Sequence, residues 1–415
     1  MPETQVDRPA EPAEGVSPES HGDSAYWDPF DRDIARDPYP AYRRLRAEAP
    51  LYYNDVHDFY ALSRYDDVDR ALLDWKTFSS ARGPIMEIIK SGVEIPPGTL
   101  LMEDPPAHDI HRALLSSVFT PRRIMAVEPQ IRAMCTRALD RLAGIDRFDL
   151  MTEFANEIPM RAIGMLLGIP ESDQEAVRAN TDANLRTVPG QQMQVADKAI
   201  PHTDDFAEYI DWRADHPSDD LMTELLRAEF VDTEGVTRTL TRQEILTYVA
   251  VVAGAGNETT ARLIGWLGTL LAKHPDQRAE MVDNPQLIPN AIEETLRFEP
   301  TGHAIARYVA ADVELHGSTV PAGSVMMILI ASANRDDGRW SEPDRFDIHR
   351  RMTNMRTFGL GTHFCLGASL ARLEARVAME EFLARFPRWD VDWDQVALSP
   401  TSTVRGWETL PLIVG

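Results

Sequence analysis

Apolar positions recur with helical spacing through most of this chain and with strand spacing through a small part of it. The longest helical run covers 242–273, and a second, rich in Ala, Leu, Glu and Arg, covers 368–385. Shorter helices are expected at 43–49, after a proline-punctuated start at Asp37, and at 65–75. Others are expected from Asp104 onward, with Asp104 as the cap and Pro105 at the first position, and at 148–167, 222–229 and 290–298. Two more fall within 173–212, joined around Val188 and Gly190. Strand alternation marks a hairpin of 51–54 with 58–63, short strands at 313–315, 318–320 and 325–330, and terminal strands within 389–393 and 402–414. The stretch 78–101 follows neither period. Its glycines at 83, 92 and 98, its Pro96-Pro97 pair and its apolar patch from Ile85 to Ile89 suit a lid over a pocket better than scaffold.

Two stretches break local rules. The middle of the long helix contains Gly254, Gly256 and the consecutive Thr259 and Thr260, residues that a helix interior avoids on propensity, with Glu258 among them. Tight helix packing accounts for such glycines as readily as the approach of a flat group, and threonine hydroxyls compete for backbone carbonyls. The second stretch is Phe358-Gly-Leu-Gly-Thr-His-Phe-Cys365-Leu-Gly367, where three glycines crowd one of only two cysteines, just before a helix. Glycine permits close backbone approach. Amide donors and a helix N-terminus lower a thiol's pKa and hold it as thiolate. A thiolate so held is a nucleophile, with His363 as its candidate base, or a metal ligand. A free cysteine is otherwise most often a small buried hydrophobe.

Composition narrows the field. The 66 acidic against 42 basic residues, a net charge of −24, argue against general nucleic-acid binding. A local basic patch remains available in Arg122, Arg123, Arg132 and Arg137. Two cysteines, Cys135 and Cys365, make no disulfide framework and indicate a reducing cytoplasm. No C-x-x-C or H-E-x-x-H spacing supports a zinc site. Residues 1–24, rich in Pro, Glu and Ser and lacking an apolar run, read as a disordered tail with no signal peptide or membrane anchor.

The pattern F-G-x-G-x-H-x-C-x-G at 358–367 resembles the haem-binding loop of the cytochrome P-450 family. Three further segments resemble family motifs in the same order: Asp104-Pro-Pro-Ala-His108-Asp-Ile-His-Arg112, Ala255-Gly256-Asn-Glu258-Thr259, and Glu294-Thr-Leu-Arg297. The resemblance implies the cytochrome P-450 fold: one mainly α, triangular helical domain at 25–415 with a small β-rich region, binding heme b. It implies Cys365 as the thiolate ligand of the iron. Phe358 would shield the sulfur beside Gly367, and His108, Arg112, Arg307 and His363 would hold the haem propionates. Glu258 and Thr259 match an acid–alcohol pair that moves protons toward dioxygen. Glu294 and Arg297 match a buried structural ion pair completed by a later arginine, Arg345 in preference to Arg350. His303 is a pocket or surface residue in this reading, since the sixth iron position stays open. The region around Val188 becomes a second flexible, substrate-facing segment, and the turn at Thr401 to Val404 points into the pocket.

The implied activity is a monooxygenase that reductively activates dioxygen and hydroxylates a hydrophobic small molecule such as a terpenoid, steroid, fatty acid or aromatic. No reductase or flavin-binding stretch is apparent, so electrons are expected from a ferredoxin and its NAD(P)H-dependent ferredoxin reductase, with the four arginines as docking candidates. A cytoplasmic monomer, with no nucleic acid and no membrane as partner, completes the expectation. Two other readings stand beside it: a peroxide-using haem-thiolate enzyme, which commonly lacks the Glu258-Thr259 pair, and a non-catalytic haem or ligand-binding protein. Pocket candidates such as Ile85, Met86, Leu185, Val252, Ala304 and Val404 are apolar and mixed in size, and they do not choose among substrates.

Overall fold

Thr241 starts the longest helix, Arg242–Lys273, with a capping box: its hydroxyl accepts from the Glu244 N–H, and the Glu244 carboxylate accepts from the Thr241 N–H. The helix is buried around most of its circumference, so it forms the centre of the packing rather than one face of it. On one side lies helix Glu157–Leu167 and on another helix Ala368–Arg385, which in turn covers Glu128–Asp140. Gly256 is explained here. A Cβ at that position would come within 2.3 Å of Ile163 Cδ1 on Glu157–Leu167, so helix–helix contact accounts for this glycine.

This computed structural model describes residues 25–415 except 97, 117–118, 171–173, 175–186, 189, 194, 196–205 and 402–403. The expected N-terminal tail, Leu185 and most of the two helices expected within 173–212 lie outside the described residues. The other expected helices are present, as Tyr39–Glu48, Tyr65–Leu73, Ala107–Ser116, Glu157–Leu167, Leu221–Arg227, Ile288–Phe298 and Ala368–Arg385. Asp220 caps Leu221–Arg227 by accepting from the Thr223 N–H. The hairpin Glu229–Val231 with Thr237–Thr239 carries no alternation that periodicity detects. In the 78–101 stretch a two-residue strand, Phe78–Ser79, and a short helix, Met86–Ser91, interrupt irregular chain.

The main sheet orders its strands Leu51–Asn54, Phe59–Leu62, Val325–Ile328, Ile305–Val309 and Phe78–Ser79. Its register sets Arg307 opposite Met326 and Ala306 opposite Met327. A second sheet joins Trp389–Val391, Pro411–Val414 and Arg147–Asp149, and a terminal hairpin pairs Ala397–Leu398 with Trp407–Thr409. Among the described residues no helix is long and apolar enough to cross a membrane.

Glu294 and Arg297 are fully buried on helix Ile288–Phe298 and bond through two parallel contacts of 2.7 and 2.8 Å. The arginine that completes the network is Arg350, whose Nε donates to Glu294 Oε1 at 3.2 Å and whose other nitrogens reach the Ser341, Glu342 and Arg345 carbonyls. Arg345 is not the third member. Its side chain is 61% exposed and pairs with Glu342, and only its backbone carbonyl enters the network. Replacing Arg350→Ala should therefore lower the free energy of unfolding by roughly 2 kcal/mol or more, because it removes a cation from a buried carboxylate. Arg345→Ala should stay within about 0.5 kcal/mol of the parent. Denaturant titration of the two variants side by side checks this, and equal losses would refute the assignment.

Candidate active site

Two left-handed glycines shape the cysteine loop, Gly359 at φ +71° and Gly361 at φ +69°. At Gly361 a Cβ would also crowd Leu73 Cδ2 at 3.1 Å. The Cys365 N–H donates to the Phe358 carbonyl at 2.8 Å, closing the loop, and helix Ala368–Arg385 begins three residues later. Gly367 adopts an ordinary φ of −81° as the residue before that helix, and a Cβ there would meet nothing within 4 Å. Phe358 packs at the edge of the main core under the Arg372 guanidinium, 4.4 Å from the ring centroid.

The two cysteines differ in kind. Cys135 lies in the core, where burial pushes its thiol up to about 12, so it is inert. Cys365 keeps accessible surface, but the space it faces is enclosed enough that desolvation dominates and raises its pKa. The N–H groups of Gly367 and Ala368 and the guanidinium groups of Arg112 and Arg372 pull the other way without winning. Burial thus works against the donors that loop and helix supply to the sulfur. Such a sulfur becomes a thiolate when a cation sits on it.

Basic side chains from three separate segments, helix Ala107–Ser116, strand Ile305–Val309 and the loop itself, converge beside the cysteine. The rings of His108 and His363 lie 4.3 Å apart. The charges of Arg307, His108 and Arg112 all act on His363, and together with burial they lower its pKa to about 3. Burial lowers His108 as well, and brings Arg307 down to about 10. Arg112 is pulled below its ordinary value by burial and is close enough to Cys365 for their charges to interact. The Nε2 atoms of His363 and His108 are both buried without a partner. Asp104 is the anion nearest Arg307, and it is held by Ser79 Oγ at 2.5 Å and the Ser80 N–H at 2.9 Å. Its carboxylate thus ties strand Phe78–Ser79 to the start of helix Ala107–Ser116 instead of capping that helix. Among the described residues no three His, Cys, Asp or Glu side chains are placed to hold a metal ion.

This donor set fits haem. A desolvated group of cationic and N–H-bearing side chains, with two imidazole nitrogens unsatisfied, suits a ligand that carries two carboxylates. A single cysteine suits an iron whose remaining ligands come from a macrocycle.

Glu258 and Thr259, the pair expected to handle protons, face different partners. Thr259 Oγ1 donates to the Ala255 carbonyl of its own helix at 3.1 Å. Glu258, 5% exposed, is turned to the terminal hairpin: its Oε1 accepts from Arg262 Nη2 at 3.0 Å and from Ser399 Oγ at 3.1 Å. Arg262, one turn beyond Glu258, was readable from helical spacing. Ser399, 141 residues away, was not. Ile85, Met86 and Ala304 line one cavity with Phe30 and Met327. The proposed basic patch is largely neutralised. Arg132 pairs with Glu128, Glu380 and Glu381, and Arg123 with Glu224 and Asp219.

Comparison with known proteins agrees with this geometry. The family model for cytochrome P-450 matches residues 180–403. A cytochrome P-450 of Mycobacterium tuberculosis is 39% identical over 396 residues, covering 93% of this chain and 96% of that relative. The vitamin D(3) 25-hydroxylase of Pseudonocardia autotrophica is 35% identical over 394 residues, covering 94% and 96%. The solved structure of a cytochrome P-450 from Chondromyces apiculatus superposes with a TM-score of 0.83 at 35% identity, covering 94% of this chain and 98% of that one. Proteins of this kind bind haem through a cysteine thiolate and use dioxygen, a redox partner and an organic substrate. With its matching fold and nearly full-length likeness, the chain belongs to the cytochrome P-450 family of haem-thiolate monooxygenases.

Proposed function

We propose that this enzyme binds heme b through Cys365 and hydroxylates an apolar small molecule of the terpenoid, steroid, fatty-acid or aromatic class. In this reading residues 25–415 act as one catalytic domain, a cytoplasmic monomer that draws electrons from a ferredoxin and its NAD(P)H-dependent reductase. The observation that carries it is the convergence of His108, Arg112, Arg307 and His363 beside the Cys365 loop.

Haem, when bound, supplies the reductive activation of dioxygen and the insertion of one oxygen atom into an unreactive C–H bond. The chain's own residues bind, orient and deliver protons. Arg112 and Arg307 neutralise carboxylates whose burial would otherwise be costly. His108 and His363 offer their unsatisfied Nε2 atoms to the same groups. Phe358 and the loop backbone keep water from the sulfur. Thr259 presents a hydroxyl that exchanges its bond to the Ala255 carbonyl for one to a ligand in the pocket. Glu258 holds the proton that replenishes it. The apolar lining at Phe30, Ile85, Met86, Ala304 and Met327 supports a hydrophobic substrate, as does the relative named for vitamin D(3) hydroxylation. Because Arg123 and Arg132 are bound to intramolecular carboxylates, ferredoxin docking does not rest on them.

Three measurements test this reading. Cys365→Ser should abolish the thiolate-type Soret band of the reduced, carbon monoxide-treated protein; a retained band would remove Cys365 as the ligand. Arg307→Leu, which deletes a charge-assisted bond to a carboxylate, should weaken haem binding by the apoprotein roughly 10- to 100-fold, read as haem transfer to a competing acceptor. Thr259→Ala should cut product about a hundredfold while NAD(P)H consumption continues and peroxide accumulates. Unchanged coupling takes Thr259 out of the relay, and full activity on hydrogen peroxide alone favours the peroxide-using reading.

A further inference from the structure

The proposed proton donor is held by a part of the chain that has no place in the relay as described. Arg262 Nη2 donates to Glu258 Oε1 at 3.0 Å, to Ser399 Oγ at 2.9 Å and to Glu408 Oε2 at 3.1 Å, and Nη1 donates to the Trp407 carbonyl. Ser399 Oγ in turn donates to Glu258 Oε1 at 3.1 Å. The arginine stem fills the space over Gly406, where a Cβ would come within 2.5 to 2.8 Å of three of its carbons. One buried guanidinium thus joins the middle of helix Arg242–Lys273 to the hairpin of Ala397–Leu398 with Trp407–Thr409. The hairpin's tip is tied in its turn. The Thr187 N–H donates to the Pro400 carbonyl at 2.7 Å, the Arg405 N–H donates to the Thr301 carbonyl at 2.7 Å, and Val404 is buried. Thr187 belongs to the region around Val188 that the resemblance places on the substrate side, and Thr301 lies shortly before strand Ile305–Val309.

An i,i+4 Glu–Arg pair on a helix surface stabilises by only a few tenths of a kcal/mol and leaves both side chains free to turn. Here the pair is buried, and the guanidinium is shared with a hydroxyl, a second carboxylate and a carbonyl, so the Glu258 rotamer depends on where the hairpin sits. We propose that Ser399 is a positioning residue for Glu258, and that through it and Arg262 the terminal hairpin sets which way the carboxylate faces. This rests on Glu258 being the proton donor. Arg262 and Ser399 both hold Oε1 on the side of the hairpin.

Ser399 is the informative position because it is neutral: removing its hydroxyl deletes its bonds to Glu258 and Arg262 without unbalancing buried charge, as loss of Arg262 would. The experiment compares Ser399→Ala, Ser399→Thr, Glu258→Gln and the Ser399→Ala/Glu258→Gln double variant. In the haem-loaded protein with surrogate redox partners it reads the ratio of product to peroxide, its solvent isotope effect, and substrate binding from the Soret shift. In the apoprotein it reads hydrogen exchange at the amides of residues 407–409. Ser399→Ala should change the product-to-peroxide ratio about fivefold, the equivalent of one net hydrogen bond, and should alter the isotope effect with substrate binding unchanged. Ser399→Thr, which keeps the hydroxyl, should restore both. Exchange at 407–409 should rise in Ser399→Ala and in Glu258→Gln and rise no further in the double. Faster exchange with an unaltered ratio would make Ser399 a hairpin anchor alone and overturn the proposal, as would failure of threonine to rescue. If Glu258→Gln shifts the ratio while Ser399→Ala does not, only the positioning role falls. If Glu258→Gln leaves the ratio untouched, the proton-donor reading falls first and takes this proposal with it.

Discussion

The fully buried ion pair of Glu294 and Arg297 is the constraint on which the cysteine loop depends. Two charges held without solvent are tolerable only when every donor and acceptor is used, and here the leftover bonds reach into the chain that leads to the loop. Arg297 donates to the carbonyls of Asn334, Pro343 and Arg345. Asn334 accepts from the Arg356 N–H and donates to Thr357, whose hydroxyl donates to the Leu296 carbonyl on the starting helix. Gly359 then bonds back to Arg356, and Cys365 to Phe358. Each bond contributes little, but the sequence of them fixes where a sulfur sits relative to helix Ile288–Phe298 without relying on the loop's own stiffness.

On that scaffold the protein assembles a site that is unfavourable by itself. Burial opposes ionisation of Cys365 and of His363 and weakens the hold of Arg307 and Arg112 on their protons. Thiol and cations are both displaced from their solution behaviour in the direction that a cation on the sulfur and two carboxylates beside the arginines would reverse. Perturbed groups gathered at one place are a common mark of a functional site. The strength of this case is that the perturbations are complementary: one group calls for positive charge and the other for negative.

The long helices were legible because their apolar spacing is set locally; Arg242–Lys273 and Ala368–Arg385 have the bounds that periodicity expects. The motif residues were legible because glycine, cysteine and proline punctuate the chain in a rare order. What failed shares one cause: a side chain's partner can lie anywhere in the chain. Arg345 and Arg350 are five residues apart with similar surroundings, and only the path of the backbone after Ser341 decides which one reaches Glu294. Asp104 has the right position for a helix cap but finds Ser79 and Ser80 instead. The basic cluster looked uncompensated because Glu380 and Glu381 stand about 250 residues away from Arg132 in sequence.

Glu258 and Thr259 show the division most clearly. By itself the sequence determined that a carboxyl and a hydroxyl stand side by side in the middle of a buried helix, and that a cysteine sits in a glycine-bounded turn before another. Those are properties of neighbouring residues and of helical period. Only the tertiary structure decided that Glu258 faces Arg262 and Ser399, that His108, Arg112 and Arg307 are brought from other segments to His363 and Cys365, and that burial opposes the loop's hold on a thiolate. Direction, contact and desolvation depend on what the rest of the chain brings alongside, and no local pattern encodes that.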